Sequence, residues 1–191
     1  FRYLLNNNEF IKKNDASPDK INSLINSPCS GDPLDLRDRI LLELAYSTVW
    51  KTSQLARIQE VNLNENDLLE IKIYSEIKEV PHLGINKDRL EQYKNHLPKL
   101  DERESFWLNN HNKQINLNQL RIIIRKQLKP IGLDLKKLRE IATQQFQNNG
   151  ADIRSVQKLR NLKKIHRFQS LIDSDYEELK RKFSESHTRN R

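Results

Sequence analysis

The sequence predicts a mainly α fold with one small antiparallel β-sheet, an α+β chain. Three observations predict it. Apolar residues recur at three- and four-residue spacing through most of the chain, as amphipathic helices require. One stretch, Val61 to Val80, changes to a period of two, as half-buried strands require. Only 4 glycines and 6 prolines occur in 191 residues, too few turn-formers for a sandwich or barrel.

Taken in order, Phe1 to about Lys13 mixes apolar and polar residues and runs into Asn14-Asp15-Ala16. Residues 1–15 are therefore expected to be a linker or the end of a preceding domain, and 16–191 one folded domain. Ser17 can cap a helix, Pro18 suits its first turn and Asp19 complements its dipole, with Ile21, Leu24 and Ile25 as the apolar stripe. Pro28 to Pro33 reads as a loop, and Cys29 within it as a solvated bystander. Residues 34–56 are the clearest core element, because Leu36, Ile40, Leu41, Leu44 and Ala45 keep helical spacing. Thr52-Ser53 then open a short helix over Gln54–Arg57.

Leu69, Ile71 and Ile73 alternate with Glu70, Lys72 and Tyr74, and Ile77 and Val80 follow a turn near Ser75-Glu76. That pattern predicts a hairpin, with a third strand near Val61–Leu63. Ile85 to Leu97 predicts a helix with Leu90, Tyr93 and Leu97 on one side, and Phe106–Leu108 a short extended piece. Leu117 to Leu128 predicts a helix that buries Leu120, Ile123, Ile124 and Leu128 and stops at Pro130. Three further helices are expected at about 135–149, 152–159 and 174–186.

Composition narrows function. Hydrophobic content of 36% beside 31% charged residues is polar, but the spacing of Leu, Ile and Phe is not that of a disordered chain. No window approaches the run of about 18 apolar residues that a membrane span needs. A single cysteine forms no internal disulfide and no zinc site, which favours a reducing compartment; neither cofactor nor metal is expected. The chain opens on Phe1 and contains no Met, so it is expected to be a piece of a longer protein. Its net charge is +8, from 34 basic and 26 acidic residues. Arg154, Lys158, Arg160, Lys163, Lys164 and Arg167 follow one another with His166 and no acid among them. Such a run is either a solvated face or a phosphate contact.

Residues 134–159 carry the most specific signal. They read Lys136, Lys137, Leu138, Arg139, Glu140, then Asn149, Gly150, Ala151, Asp152, Ile153, Arg154, and lead into Leu159-Arg160-Asn161. Earlier come Leu36-Arg37-Asp38-Arg39, Leu41-Leu42-Glu43-Leu44 and Tyr46, then Val49-Trp50-Lys51-Thr52-Ser53-Gln54-Leu55, and later Val80-Pro81. In this order they resemble the catalytic domain of the tyrosine recombinase (phage integrase) family, from about Ser17 to Arg189. The resemblance implies that fold, double-stranded DNA as partner, and a cytoplasmic, nucleoid-associated setting. It also implies a separate arm-like domain whose end falls near Phe1–Lys13.

The resemblance further implies which residues stand where the family keeps its chemistry. The family's phosphate-clamping arginine, in Gly-Leu-Arg-x-Ser-Glu-Leu, corresponds to Lys51, and the acid after Ser to Gln54. Arginine holds two phosphate oxygens with a flat fork, whereas lysine offers a point charge. The family's hairpin lysine is nearest Lys72, although counting back from Val80-Pro81 lands on Ile73. Its His-x-x-Arg pair becomes Lys136 and Arg139, three apart and so on one helix face, and Glu140 stands where a second His is frequent. Arg139 is the one residue retained as such; its alternative reading is a partly buried arginine paired with Glu140 or Asp134. The Leu-Gly-His corner reads Leu159-Arg160-Asn161, and asparagine is no general acid or base. The nucleophile position falls on Ser170 counting forward, or on Leu171 counting back from Ser186-His187-Thr188-Arg189. Neither is tyrosine, and Tyr176 lies beyond both.

The implied function is a DNA-binding domain unable to cleave, with Lys51, Lys136, Arg139, Arg154, Lys158, Arg160, Asn161, Lys163 and Lys164 on phosphate. One alternative is a module that docks a partner recombinase or partition factor, or a second copy, through a C-terminal helix over Asp173–Arg191 with Leu179 and Phe183 as anchors. The other is an active recombinase with Tyr176 as a relocated nucleophile.

Overall fold

Helix α1 (Pro18–Ile25) buries Ile21 and Ile25 and hands the chain to α2 (Pro33–Thr48), the central element. This computed structural model describes residues 18–65, 68–81, 85–148, 150–151 and 154–156. Asp32 caps α2, accepting from the Leu34 and Asp35 amides, and Pro33 fills the first turn where no donor is needed. Nearly every residue of α2 from Leu36 to Thr48 is buried, so helices pack on it from several sides: α1, α4 (Lys87–Asn95) and α5 (Leu117–Leu128). Short α3 (Thr52–Leu55) follows and packs against both α2 and α5.

Between α3 and α4 lies a three-stranded antiparallel sheet, β1 (Ile58–Leu63), β2 (Leu68–Ile73) and β3 (Glu76–Pro81), in the order β1-β2-β3. The third strand expected near Val61 is present and begins earlier, at Ile58. Val61 pairs with Ile71 and Leu69 with Val80, which puts these four on one buried face, while Ile77, opposite Lys72, lies exposed on the other. Ile73 pairs with Glu76, so the turn is Tyr74-Ser75, one residue ahead of the expected position. Tyr74 adopts the left-handed conformation (φ 54°) that a tight two-residue hairpin turn demands.

Phe106-Trp107-Leu108 is the extended strap the sequence predicts, and it is fully buried. The Phe106 amide donates to Ile58 O (2.9 Å), and the Trp107 indole N–H to Leu55 O (2.6 Å). Tyr93 of α4 meets Phe106 edge-on at 5.3 Å and donates its hydroxyl to the Phe106 carbonyl; burial pushes that phenol up to about 12. Helix α5 has the expected bounds, fixed by a reciprocal Asn116/Gln119 capping box. Ile123, expected in the core, is only half-buried, whereas Leu120, Ile124 and Leu128 are buried. Cys29, expected to be solvated, is half-buried too, its Sγ 4.0 Å from Asp35 O.

Helix α6 (Leu135–Asn148) begins in one compact unit, which ends at Ala142, and continues into a second that starts at Thr143. Gly150, at φ 88°, closes it: its amide donates to Gln147 O and the Ala151 amide to Phe146 O, a Schellman ending. Residues 154–156 are helical. No helix among the described residues is long and apolar enough to cross a membrane. The segment 1–15, the Ser17 cap, the rest of the 152–159 helix and the 174–186 helix lie outside the described residues.

A buried ion pair ties three helices together. Glu43 of α2, its side chain fully buried, accepts from the Arg89 guanidinium and from the Asn86 amide (3.0 Å), while Arg89 also donates to Ile25 O at the end of α1. Burial pushes the Glu43 carboxyl above the usual range, against the pull of the Asn86 amide and of Arg89. Replacing Arg89 by Met leaves that carboxylate buried without its cation, at an expected cost of about 3–5 kcal/mol near neutral pH by chemical denaturation. A carboxyl whose folded pKa is raised adds stability below its unfolded pKa and loses it as pH rises through the folded one. The penalty in Arg89→Met is therefore expected to shrink as pH falls and Glu43 takes up a proton.

Candidate nucleic-acid interface

Helix α2 ends on a residue that ought not to end it. Val49 takes the left-handed conformation (φ 57°, ψ 21°), a position that suits glycine and is costly for a β-branched side chain. The Val49 side chain is nonetheless fully buried, as is the Trp50 ring that follows, and the Trp50 amide donates to Thr48 Oγ1 at 3.3 Å. This reversal lets α3 begin at once at a new angle. Lys51 stands at its N-cap with an exposed side chain. Its amide donates to Gln54 Oε1 (3.0 Å), and the lysine has no acceptor with which to cap the helix in return.

Arg139 reaches this junction from α6. Its Nε donates to the Val49 carbonyl at 2.6 Å, across 90 residues of sequence, and the residue is only 8% exposed. Of the carboxylates considered for it, Glu140 lies 3.5 Å from Lys137 Nζ, and Asp134 caps α6 by accepting from the Lys137 amide (2.7 Å). Lys136, one turn before Arg139, is exposed. The junction thus sets Arg139 on the carbonyl two residues ahead of Lys51, while Lys51 and Lys136 are each exposed on their own helices.

Lys72 is placed differently. It lies on the outer face of the sheet, directly across from Glu60 on one side and Ile77 on the other. Lys78 shares the opposite face with Ile71, 3.8 Å from Glu76 Oε2. Ile73, the alternative match for the hairpin lysine, closes the turn opposite Glu76. Arg154 is exposed in the second unit. Lys158, Arg160, Asn161, Lys163, Lys164, Ser170, Leu171 and Tyr176 lie outside the described residues.

The structure adds a surface that the sequence reading passed over. Helix α5 contains no acid, and Arg121, Arg125, Lys126 and Lys129 are exposed along it and just past its end, with Ile122 (61% exposed) among them. Spacings of four residues put Arg121, Arg125 and Lys129 on one face, with Lys126 to one side of it. The signal was available in Arg121-x-x-x-Arg125-x-x-x-Lys129.

A profile of the Phage integrase family matches residues 15–178. The chain belongs to the phage integrase family. Among its relatives are the tyrosine recombinase XerD of Halalkalibacterium halodurans, 22% identical over 151 residues, and the tyrosine recombinase XerC of Roseiflexus castenholzii, 28% identical over 155 residues. These matches cover 74% and 75% of the chain but 50% and 49% of those relatives, so the chain spans about half their length. The fold is shared with the solved structure of XerA recombinase (TM-score 0.59, 16% identity, 80% of this chain and 57% of that one). It is also shared with a lambda integrase dimer bound to a COC' core site (TM-score 0.51, 18% identity, 78% and 44%). The mainly helical phage integrase fold with its small antiparallel sheet, predicted from periodicity and resemblance, is therefore the one observed.

Within this phage integrase fold, lysine at the α3 N-cap is a poor choice for local stability. Lys51→Ser supplies the side-chain acceptor that lysine lacks for the first-turn amides of α3 and is expected to leave stability unchanged or raise it by up to about 1 kcal/mol in denaturant titrations. A loss of stability would show that Lys51 serves the fold.

Proposed function

We propose that this chain is a DNA-binding domain of the phage integrase family that grips duplex phosphates and does not cut the strands. The observation that carries this reading is the arrangement at the α2–α3 junction. An exposed lysine, Lys51, stands where the resemblance puts a phosphate-clamping arginine, and the one matching arginine, Arg139, donates through Nε to a backbone carbonyl. A lysine attracts a phosphate as a point charge but does not align two of its oxygens, which strand cleavage needs and binding does not.

Two further features support binding. Helix α5, which contains no acid, exposes Arg121, Arg125 and Lys126, with Lys129 exposed just past its end, and Lys51, Lys136 and Arg154 are each exposed on their own elements. The basic run through Lys158, Arg160, Lys163 and Lys164 extends that charge along the sequence, with Asn161 as a neutral donor beside it. The absence of tyrosine at both Ser170 and Leu171 supports loss of the nucleophile.

Titration against labelled duplex is expected to show affinity that falls steeply with salt, each phosphate contact adding about 0.9 to the log–log slope. Charge reversal of Arg121, Arg125 and Lys126 lowers that slope and the affinity, as does reversal of Lys158, Arg160, Lys163 and Lys164. A nicked suicide substrate is expected to give no covalent adduct. No affinity for any duplex at low salt would sink the reading. An adduct that disappears in Tyr176→Phe would make the chain an active recombinase. Capture of a partner recombinase that survives both charge reversals would make it a docking module.

A further inference from the structure

We propose that Arg139 is a positioning residue: through the Val49 carbonyl it holds the left-handed α2–α3 junction in the shape that presents Lys51. This role rests on the reading of Lys51 as a phosphate contact. It reverses the assignment that the His-x-x-Arg resemblance implies, in which the arginine itself meets phosphate.

The junction needs holding. A buried β-branched residue at φ 57° stores strain on the order of 1–3 kcal/mol, and the strain persists only where its surroundings fix it. If Val49 relaxed to an ordinary φ, the peptide planes of Trp50 and Lys51 would swing with it. The α3 N-cap would then lose the angle at which it leaves α2. Burial of Val49 and Trp50 and the Thr48–Trp50 bond oppose that relaxation from within the junction. Arg139 opposes it from a separate helix, with a charged donor on the carbonyl of the strained residue itself. A buried hydrogen bond from a charged group contributes about 1.5–3 kcal/mol, the same order as the strain.

The same geometry argues against a direct grip. Guanidinium recognition of phosphate in the bidentate mode uses two parallel N–H groups along one edge. The Nε–H of Arg139 is committed to Val49 O, which removes one of those edges. At 8% exposure the residue also offers little surface to a bulky, hydrated anion, whereas Lys51 is exposed. Arginine suits the task because its Nε donor is always charged and sits rigidly in the plane of the group.

Three substitutions test the role, each made in the whole chain: Lys51→Ala, Arg139→Gln and Val49→Gly. The probe for binding is a fluorescein-labelled DNA duplex of mixed sequence at low salt. If Arg139 works through Lys51, the two single variants each lose affinity, by about tenfold, and the double variant loses little more than either. The salt slope then falls by about 0.9 in all three, one phosphate contact in total. Val49→Gly, which removes the strain, restores affinity to Arg139→Gln, since glycine holds the left-handed turn unaided.

Losses that multiply in the double variant, a slope lower by about 1.8 and no rescue by Val49→Gly would mean that Arg139 touches phosphate itself. That overturns the role. Amide hydrogen exchange at Trp50 and Lys51 in the DNA-free protein decides independently of binding. It is expected to quicken in Arg139→Gln, to slow again when Val49→Gly is added and to stay unchanged in Lys51→Ala. Unchanged exchange in Arg139→Gln overturns the role even if duplex binding is found. Absence of duplex binding by the native chain removes the reading of Lys51 and leaves exchange to judge the junction. Where Arg139→Gln does not fold, Arg139→Lys, which keeps a charge but lacks the rigid Nε donor, is carried through the same comparisons.

Discussion

A buried hydrogen bond, from Arg139 Nε to the carbonyl of Val49, joins α6 to the end of the central helix. Helix α2 is buried almost throughout, so its far end has little freedom to move. What freedom the chain has there is concentrated in Val49, where the backbone reverses hand. On the proposed role, a donor that arrives from α6 at that residue fixes how α3 departs. Lys51 then takes its place at the start of α3, and Lys136 stands a turn ahead of Arg139.

Elements whose signals are local were legible in the sequence. Helix α5 could be bounded to the residue because Asn116 and Gln119 cap each other at one end and Pro130 follows the other. The hairpin could be read because Leu69, Ile71 and Ile73 alternate with charged residues, and the same alternation made the sheet's buried face predictable. The turn was misplaced by one residue because Tyr74 is an unusual choice at positive φ, where Asn or Gly would have announced it. The break at Val49 was hidden for a similar reason. Valine does not signal a helix end, and only contacts made by residues far along the chain hold it there.

Burial was harder to read than structure. Ile122, Ile123 and Ile124 are consecutive on a helix and cannot share one face, so one of them had to be exposed. Ile123 and Ile124 read as core and Ile122 did not, yet Ile123 is only half-buried, and the cations around Ile122 were passed over as a surface. Arg139 is buried, as one of its two readings expected, and one of its partners is a backbone carbonyl. Its match to a family position suggested a solvent-facing phosphate ligand, and the partly buried alternative expected a carboxylate as its partner. A backbone carbonyl is invisible to sequence comparison, because every residue type has one.

The places where local rules are broken fall close together. A β-branched residue at positive φ is followed two positions later by a lysine where a short helix would favour Ser, Thr, Asp or Asn. Natural chains keep such violations mainly where they serve something other than stability. On the proposed reading that service is charge display, which explains why the arginine fork could be lost while the scaffold stayed. Affinity for a duplex accumulates over many point charges and tolerates the substitution of any one of them. Cleavage depends on a few closely aligned groups, and on the proposed reading a lysine in place of a fork, an arginine turned to the backbone and a missing phenol would each break that alignment. A domain of this family that keeps the surface charge and loses the alignment retains the grip alone.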